Sequence, residues 1–239
     1  MKKTNIYLSL CLCASFFFGS CDEGRIEEKE LDIPQNGFSV KFTATVNGLE
    51  TWPSNYELAV AGLASDDAIK VYKIITAEGN VSIDMSGIDE SISKVQLCIM
   101  EKASRKSIIA YKEISKENFN VENDIIKMDV GNIDISMYNS IQTYIFDDKC
   151  ISCHGAQGNA PRGLFLTSGK SYENLVNKAS KVNPNYILVK PNNASSSFLP
   201  LILSENGLIG HDHADILDAR KSESLIAITK DWINSGAKE

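Results

Sequence analysis

Residues 38–48 read FSVKFTATVNG, and their alternation decides the fold of the first half of the chain. Phe38, Val40, Phe42, Ala44 and Val46 fall on one side of an extended backbone, the period-two pattern of a strand with one buried face. Asn47-Gly48 then offers a hairpin-type turn. Further runs of the same kind follow: YELAVAGL at 56–63, AIKVYKIIT at 68–76, NVSIDM at 80–85, KVQLCIM at 94–100, SIIAYKEI at 107–114 and DIIKMDV at 124–130. The separators are short and rich in Asp, Gly, Ser and Asn. Short strands at this spacing predict an N-terminal all-β, antiparallel sandwich of immunoglobulin-like type over residues 37–135. Trp52-Pro53 reads as a turn capped by one buried aromatic, and Cys98 as a small buried hydrophobe. This part contains no histidine and no glycine-rich phosphate loop, so it reads as a non-catalytic adhesion or spacer module.

After Asp134 the apolar period lengthens from two to that of a helix. SMYNSIQTYIFDDKC (136–150) places Ile141, Tyr144 and Ile145 on one stripe. SYENLVNKA (171–179) offers Ser171 as an N-cap with Tyr172, Leu175, Val176 and Ala179 inward. SESLIAITKDWINSG (222–236) aligns Leu225, Ile228 and Trp232 and ends at Gly236. Residues 136–239 are therefore expected to form a mostly α module, with long proline-bearing turns and a thin apolar core that a large hydrophobic cofactor would complete.

At the other end, Lys2 and Lys3 precede the apolar run IYLSLCLCASFFFGSC (6–21), which reads as a secretory signal over residues 1–20. Its close at Gly19-Ser20-Cys21 resembles a bacterial lipoprotein cleavage site, which implies acylation of Cys21 and a lipid anchor in place of a spanning helix. Asp22, Glu23, Glu27, Glu28, Glu30 and Asp32 against Arg25 and Lys29 make residues 21–36 a solvated acidic tether. That stretch resembles the one following the lipidated cysteine in surface-exported lipoproteins, implying an extracytoplasmic place at the outer membrane or cell surface, whereas Asp22 directly after Cys21 would in enteric bacteria imply inner-membrane retention, so the leaflet stays open. The formal charge of the whole chain is −7. Loss of Lys2 and Lys3 leaves 22 basic against 31 acidic residues, or −9, a poor balance for nucleic acid.

Six cysteines occur in all. Cys11 and Cys13 leave with the signal and Cys21 takes the lipid, so Cys98, Cys150 and Cys153 remain. The last two stand in FDDKCISCHGAQG (146–158) with His154 directly after them. Two thiols separated by two residues in a helical turn can add to the two vinyl groups of one porphyrin, with the adjacent histidine presented to the iron from the same face. Three other chemistries use the same residues: a zinc site completed by a second histidine, a tight Cys150–Cys153 disulfide, and a thioredoxin-like redox pair, which would require a preceding strand.

IQTYIFDDKCISCHG, GLFLTSGKSYENLVN, VKPNNASSSFL and LIAITKDWINSGA, in that order, resemble the planctomycete-type cytochrome c domain over residues 138–237. The resemblance implies a cytochrome c-like fold for residues 136–239 and one covalent haem c. Cys150 and Cys153 would carry the thioethers, His154 would be the proximal iron ligand, and Leu164, Leu166 and Trp232 would surround the cofactor. The family's second axial ligand is a methionine before the last helix. Here the last methionine is Met137, and the corresponding stretch GLIGHDHADILD (207–218) holds His211 and His213 instead. His213, nearer the family's spacing to the tryptophan, is the preferred distal ligand and His211 the alternative. The expectation is a membrane-anchored, non-enzymatic, mono-haem electron carrier with His/His ligation, exchanging single electrons with redox partner proteins. A haem sensor or peroxidase-like protein and a surface binding lipoprotein with structural zinc are the alternatives.

Overall fold

The computed structural model describes residues 37–155, 160–219 and 221–239; the expected signal peptide, Cys21 and the acidic tether lie outside them. All seven runs with strand patterning form strands: β1 (Phe38–Asn47), β2 (Tyr56–Leu63), β3 (Ile69–Ile75), β4 (Gly79–Ile88), β5 (Lys94–Glu101), β6 (Ser107–Ser115) and β8 (Ile125–Asp134). A two-residue strand, β7 (Val121–Glu122), pairs back onto β8. They make two four-stranded sheets, ordered β4-β1-β8-β7 and β3-β2-β5-β6.

Two details of the sandwich differ from the sequence reading. Every pairing is antiparallel except β1 with β8, which run parallel from Ser39 opposite Ile125 to Asn47 opposite Asp134. Consecutive strands β1 and β2 also lie in opposite sheets, whereas the constant-type immunoglobulin arrangement keeps its first two strands in one sheet. The reason sits at Asn47-Gly48, which does not form a hairpin. Gly48 turns left-handed (φ 85°) into a short 3-10 turn, Leu49–Thr51, that carries the chain across to the other sheet. A Cβ on Gly48 would stand 2.5 Å from the backbone nitrogen of Ser136, so only glycine lets this crossing pack against the start of the helical part.

Between the sheets, Val40, Phe42, Val46, Leu58, Val60, Leu97, Ile99 and Ile126 are fully buried. The second sheet is buried on its other face as well, where Ala59 pairs with Cys98 across β2 and β5 and both are sealed from solvent. Burial pushes the Cys98 thiol up to about 11, as expected for a packing residue.

The remaining chain is helical and short-elemented: α1 (Met137–Ile141), a π-helix (Gln142–Cys150), α2 (Ile151–His154), α3 (Ser171–Leu175), α4 (Phe198–Ile202) and α5 (Ser222–Asn234). Ile141 and Ile145 are fully buried and Tyr144 partly so. Leu225, Ile228 and Trp232 face inward from α5, and Gly236 (φ 104°) follows its end, as the pattern requires. Helix α3 is shorter than the apolar spacing suggests. Asn177 adopts a left-handed conformation (φ 57°), and Val176 and Ala179 instead bridge to Val189 and Ile187. Ser171 does not cap it either, since its hydroxyl bonds Tyr138 and Gln142. Helix α4 is unexpected in a segment carrying Pro191 and Pro200, yet Pro200 sits in its first turn, where a missing N–H is harmless.

Residues Gln35–Glu239 form one compact unit. A single apolar core runs from the sheets through Ile135, Ile141 and Ile145 to Ile228 and Trp232, so the boundary drawn at residue 135 crosses packed side chains. Polar contacts seal the same junction. Trp52 donates its indole N–H to the Ile135 carbonyl (2.6 Å), Tyr144 donates to the Ala110 carbonyl (3.0 Å), and Tyr56 donates to Asp231 on α5 (2.8 Å). Tyr111 and Ser140 share a hydroxyl contact of 2.6 Å.

Candidate functional site

The π-helix ends at Cys150, and its wider winding is evident where the Ile151 N–H reaches back five residues to the Phe146 carbonyl. Buried Gln142 holds the start of this segment. Its amide nitrogen donates to Asp147 (2.7 Å), an i,i+5 partner that π winding brings onto the same face, and to the Leu166 carbonyl (2.9 Å). Its amide oxygen accepts from the Ser171 hydroxyl, which also contacts Tyr138 (2.5 Å). The loop that follows the cysteines is thereby pinned to the helix that precedes them.

Cys150 is partly buried, Cys153 is exposed, and both are free thiols. The Cys150 thiol donates to the Ile145 carbonyl (3.4 Å). Burial first, then the neighbouring Cys153, Asp147 and Asp148, push it up to about 12. Gly155 follows His154 in extended conformation, and a Cβ there would meet the Ile151 carbonyl at 2.5 Å.

His154 is fixed from two sides. Its carbonyl accepts from the Leu166 N–H (2.9 Å), and its ring Nδ1 lies 3.0 Å from the Leu164 carbonyl. A carbonyl only accepts, so Nδ1 carries a proton in this contact, and in the neutral ring the lone pair lies on Nε2. His213 repeats the arrangement, with Nδ1 2.8 Å from the His211 carbonyl. Burial lowers the His213 pKa, opposed by that bond and assisted by His211 and His154, which favours its neutral form. The two rings stand 6.3 Å apart, centre to centre, and 36° from parallel. His211 is exposed and meets the edge of His213 at 5.2 Å. Its loop is closed by Asp212, which accepts from the Gly207 N–H (2.6 Å), and by Asn206 donating to Asp215 (3.3 Å).

The structure thus brings His154 and His213 together from positions 59 apart in the chain. The flanking apolar residues divide. Leu164 is partly exposed and supplies the carbonyl that orients His154, whereas Leu166 and Trp232 are buried. Trp232 stacks on Tyr138 at 5.1 Å and donates to the Lys238 carbonyl, a core position. Gln142 and the Leu164 carbonyl carry no sequence signal of their roles: one lies inside an apolar stripe and the other is backbone. Among the described residues, no group of three or more His, Cys, Asp or Glu side chains is arranged to hold a metal ion, and no helix is long and apolar enough to cross a membrane.

No protein-family model matches the chain, and no curated protein matches it. Among solved structures, hydrazine synthase of Kuenenia stuttgartiensis aligns over 84% of this chain at 12% identity with a TM-score of 0.27. This chain spans 43% of that protein's length, and a likeness of this degree carries no conclusion about fold or activity.

Proposed function

We propose that the protein is a mono-haem c-type cytochrome that passes single electrons outside the cytoplasm. In this reading Cys150 and Cys153 would hold the haem covalently, and His154 and His213 would bind its iron. The observation that carries it is the pair of imidazoles. Both hold Nδ1 on a backbone carbonyl, which in the neutral ring leaves Nε2 as the nitrogen open to a metal. The rings of His154 and His213 stand 6.3 Å apart, centre to centre, so the two could share one metal centre, whereas His211 is exposed and meets only the edge of His213; this favours His213 over His211.

The haem would supply the one-electron couple. The chain's own part would be to fix both imidazoles on backbone carbonyls and to hold the proximal side on a core shared with the sandwich. Two histidines in place of histidine and methionine would set a lower reduction potential. The amino-terminal pattern supports export and lipid anchoring at Cys21, with the sandwich as the spacer between membrane and haem module.

The test is export of the protein with a covalent-haem maturation system, followed by haem staining after denaturing electrophoresis and visible spectra of both oxidation states. A stained band with a low-spin spectrum, turning high-spin and carbon monoxide-binding in His213→Ala but not in His211→Ala, is the expected result. A carbon monoxide-binding parent would favour the sensor or peroxidase-like reading. Stoichiometric zinc without covalent haem would replace this reading with a structural zinc site.

A further inference from the structure

The charge of the molecule is not evenly spread. Residues 22–135 carry 12 basic and 21 acidic side chains and so account for the whole excess of nine acids, while residues 136–239 carry 10 of each. Within that neutral part, the stretch 160–182 holds Arg162, Lys170, Lys178 and Lys181 against the single acid Glu173. All four cations are exposed, and among the described residues none of the four is in ion-pair contact with a carboxylate.

The stretch is built, not loose. Lys181 donates its ammonium to the Arg162 carbonyl (2.8 Å), stitching the two ends of the loop together. Lys170 lies over the ring of partly exposed Phe165 at 5.4 Å. Val182 beside them is 45% exposed, the most open large apolar side chain among the described residues. The same loop contributes the Leu164 carbonyl to His154 Nδ1 and the Leu166 N–H to the His154 carbonyl. A cationic rim with an apolar patch is therefore bonded directly to the candidate proximal ligand.

We infer that this face, Arg162, Phe165, Lys170, Lys181 and Val182, docks an acidic redox protein that exchanges electrons with the site at His154. The inference rests on the cytochrome reading for its redox half, and on the charge distribution alone for its docking half. Local complementarity steers a partner whose acidic patch is small, because charges beyond a Debye length are screened. A broad anionic membrane would instead meet the repulsion of the remaining acidic surface, which argues for a protein occupant.

Two probes separate the halves. In stopped flow, the reduced protein gives one electron to ferricyanide, oxidising the haem iron by one unit and yielding ferrocyanide. Net charge predicts repulsion and a rate that rises with salt; the cationic face predicts a rate that falls with salt. The double charge reversal Arg162→Glu/Lys170→Glu should slow the reaction roughly tenfold at low ionic strength, with Lys127→Glu as the control on the sandwich. Fluorescence anisotropy of a labelled hexaglutamate peptide reads docking whether or not haem is attached. Peptide binding that is salt-sensitive and lost in the double reversal, but kept in the control, supports the face even if the haem reading fails. A ferricyanide rate rising with salt, or no peptide binding, overturns the inference. Binding to phosphatidylglycerol vesicles without peptide binding would reassign the face to a membrane. Self-association abolished by the same reversals would reassign it to a second copy of the chain.

Discussion

Replacing Gln142 by leucine should loosen both the π-helix and the loop that fixes His154. The side chain makes three contacts: it donates to Asp147 and the Leu166 carbonyl and accepts from Ser171. In Gln142→Leu, Asp147 turns to water and the Ser171 hydroxyl keeps Tyr138 as partner. The buried Leu166 carbonyl loses the amide donor, and that group costs about 1–3 kcal/mol if left unpaired. Adding about 1 kcal/mol for each of the other two bonds, and subtracting roughly 1.5 kcal/mol for the apolar surface that leucine buries, gives a loss of about 1.5–3.5 kcal/mol. For a unit of this size each kcal/mol lowers Tm by about 2–4 °C, so a fall of roughly 3–14 °C is expected by calorimetry. Gln142→Glu is the sharper control. It keeps the acceptor for Ser171 but, once ionised, cannot donate to Leu166 and sets a second carboxylate beside Asp147. Burial and that charge raise the pKa of the new acid above its unfolded value, so the deficit is small at low pH and grows as pH rises through the folded pKa. A Gln142→Leu protein within 0.5 kcal/mol of the parent, or a Gln142→Glu deficit that does not deepen between pH 5 and 8, would refute the assignment of this network.

Gly48→Ala places a methyl 2.5 Å from the Ser136 nitrogen at a φ of 85°, and should cost about 1–3 kcal/mol in urea titrations; no change would mean the crossing relaxes freely. In haem-free protein, alkylation by iodoacetamide followed by mass spectrometry should label exposed Cys153 first. Cys150 should follow slowly because its thiol is held protonated, and Cys98 should react only on unfolding. Burial raises Tyr138 to about 12 and pushes Tyr56 and Tyr111 upward as well, against about 10 when unfolded. Their contribution to stability is therefore full below pH 10 and is lost above it as the unfolded state ionises first. The urea midpoint should hold steady up to pH 10 and then fall, less steeply in Tyr138→Phe; a flat profile to pH 11.5 would exclude this.

The seven strands are legible in the sequence because a half-buried strand writes its two faces directly into the alternation, as β1 does with Val40, Phe42, Ala44 and Val46. Their order is not. Asn-Gly is a sound local signal for a hairpin, and it is overruled at Gly48 because the glycine is needed for close approach to Ser136. Helix α5 is legible over its whole length, whereas α3 ends early at a left-handed Asn177 that the apolar spacing runs straight through. The π winding of 142–150 leaves no mark either, since a period of 3.6 and a wider one cannot be told apart over nine residues. At the site, residue types pointed to Cys150, Cys153, His154 and His213. What chain order could not give is the carbonyl under each imidazole, because Leu164 and His211 act there through backbone.

The continuous core across residue 135 has a consequence for how such a chain can be recombined. A gene segment encoding residues 136–239 alone would strip Ile141 and Ile145 of the strands they pack on and leave Asp231 without Tyr56. The histidine pair is therefore not a cassette that can be cut out and grafted onto another scaffold. Its minimal transplantable unit begins at β1, and any sandwich that replaced this one would need to rebuild the seats of Trp52, Tyr56 and Tyr111.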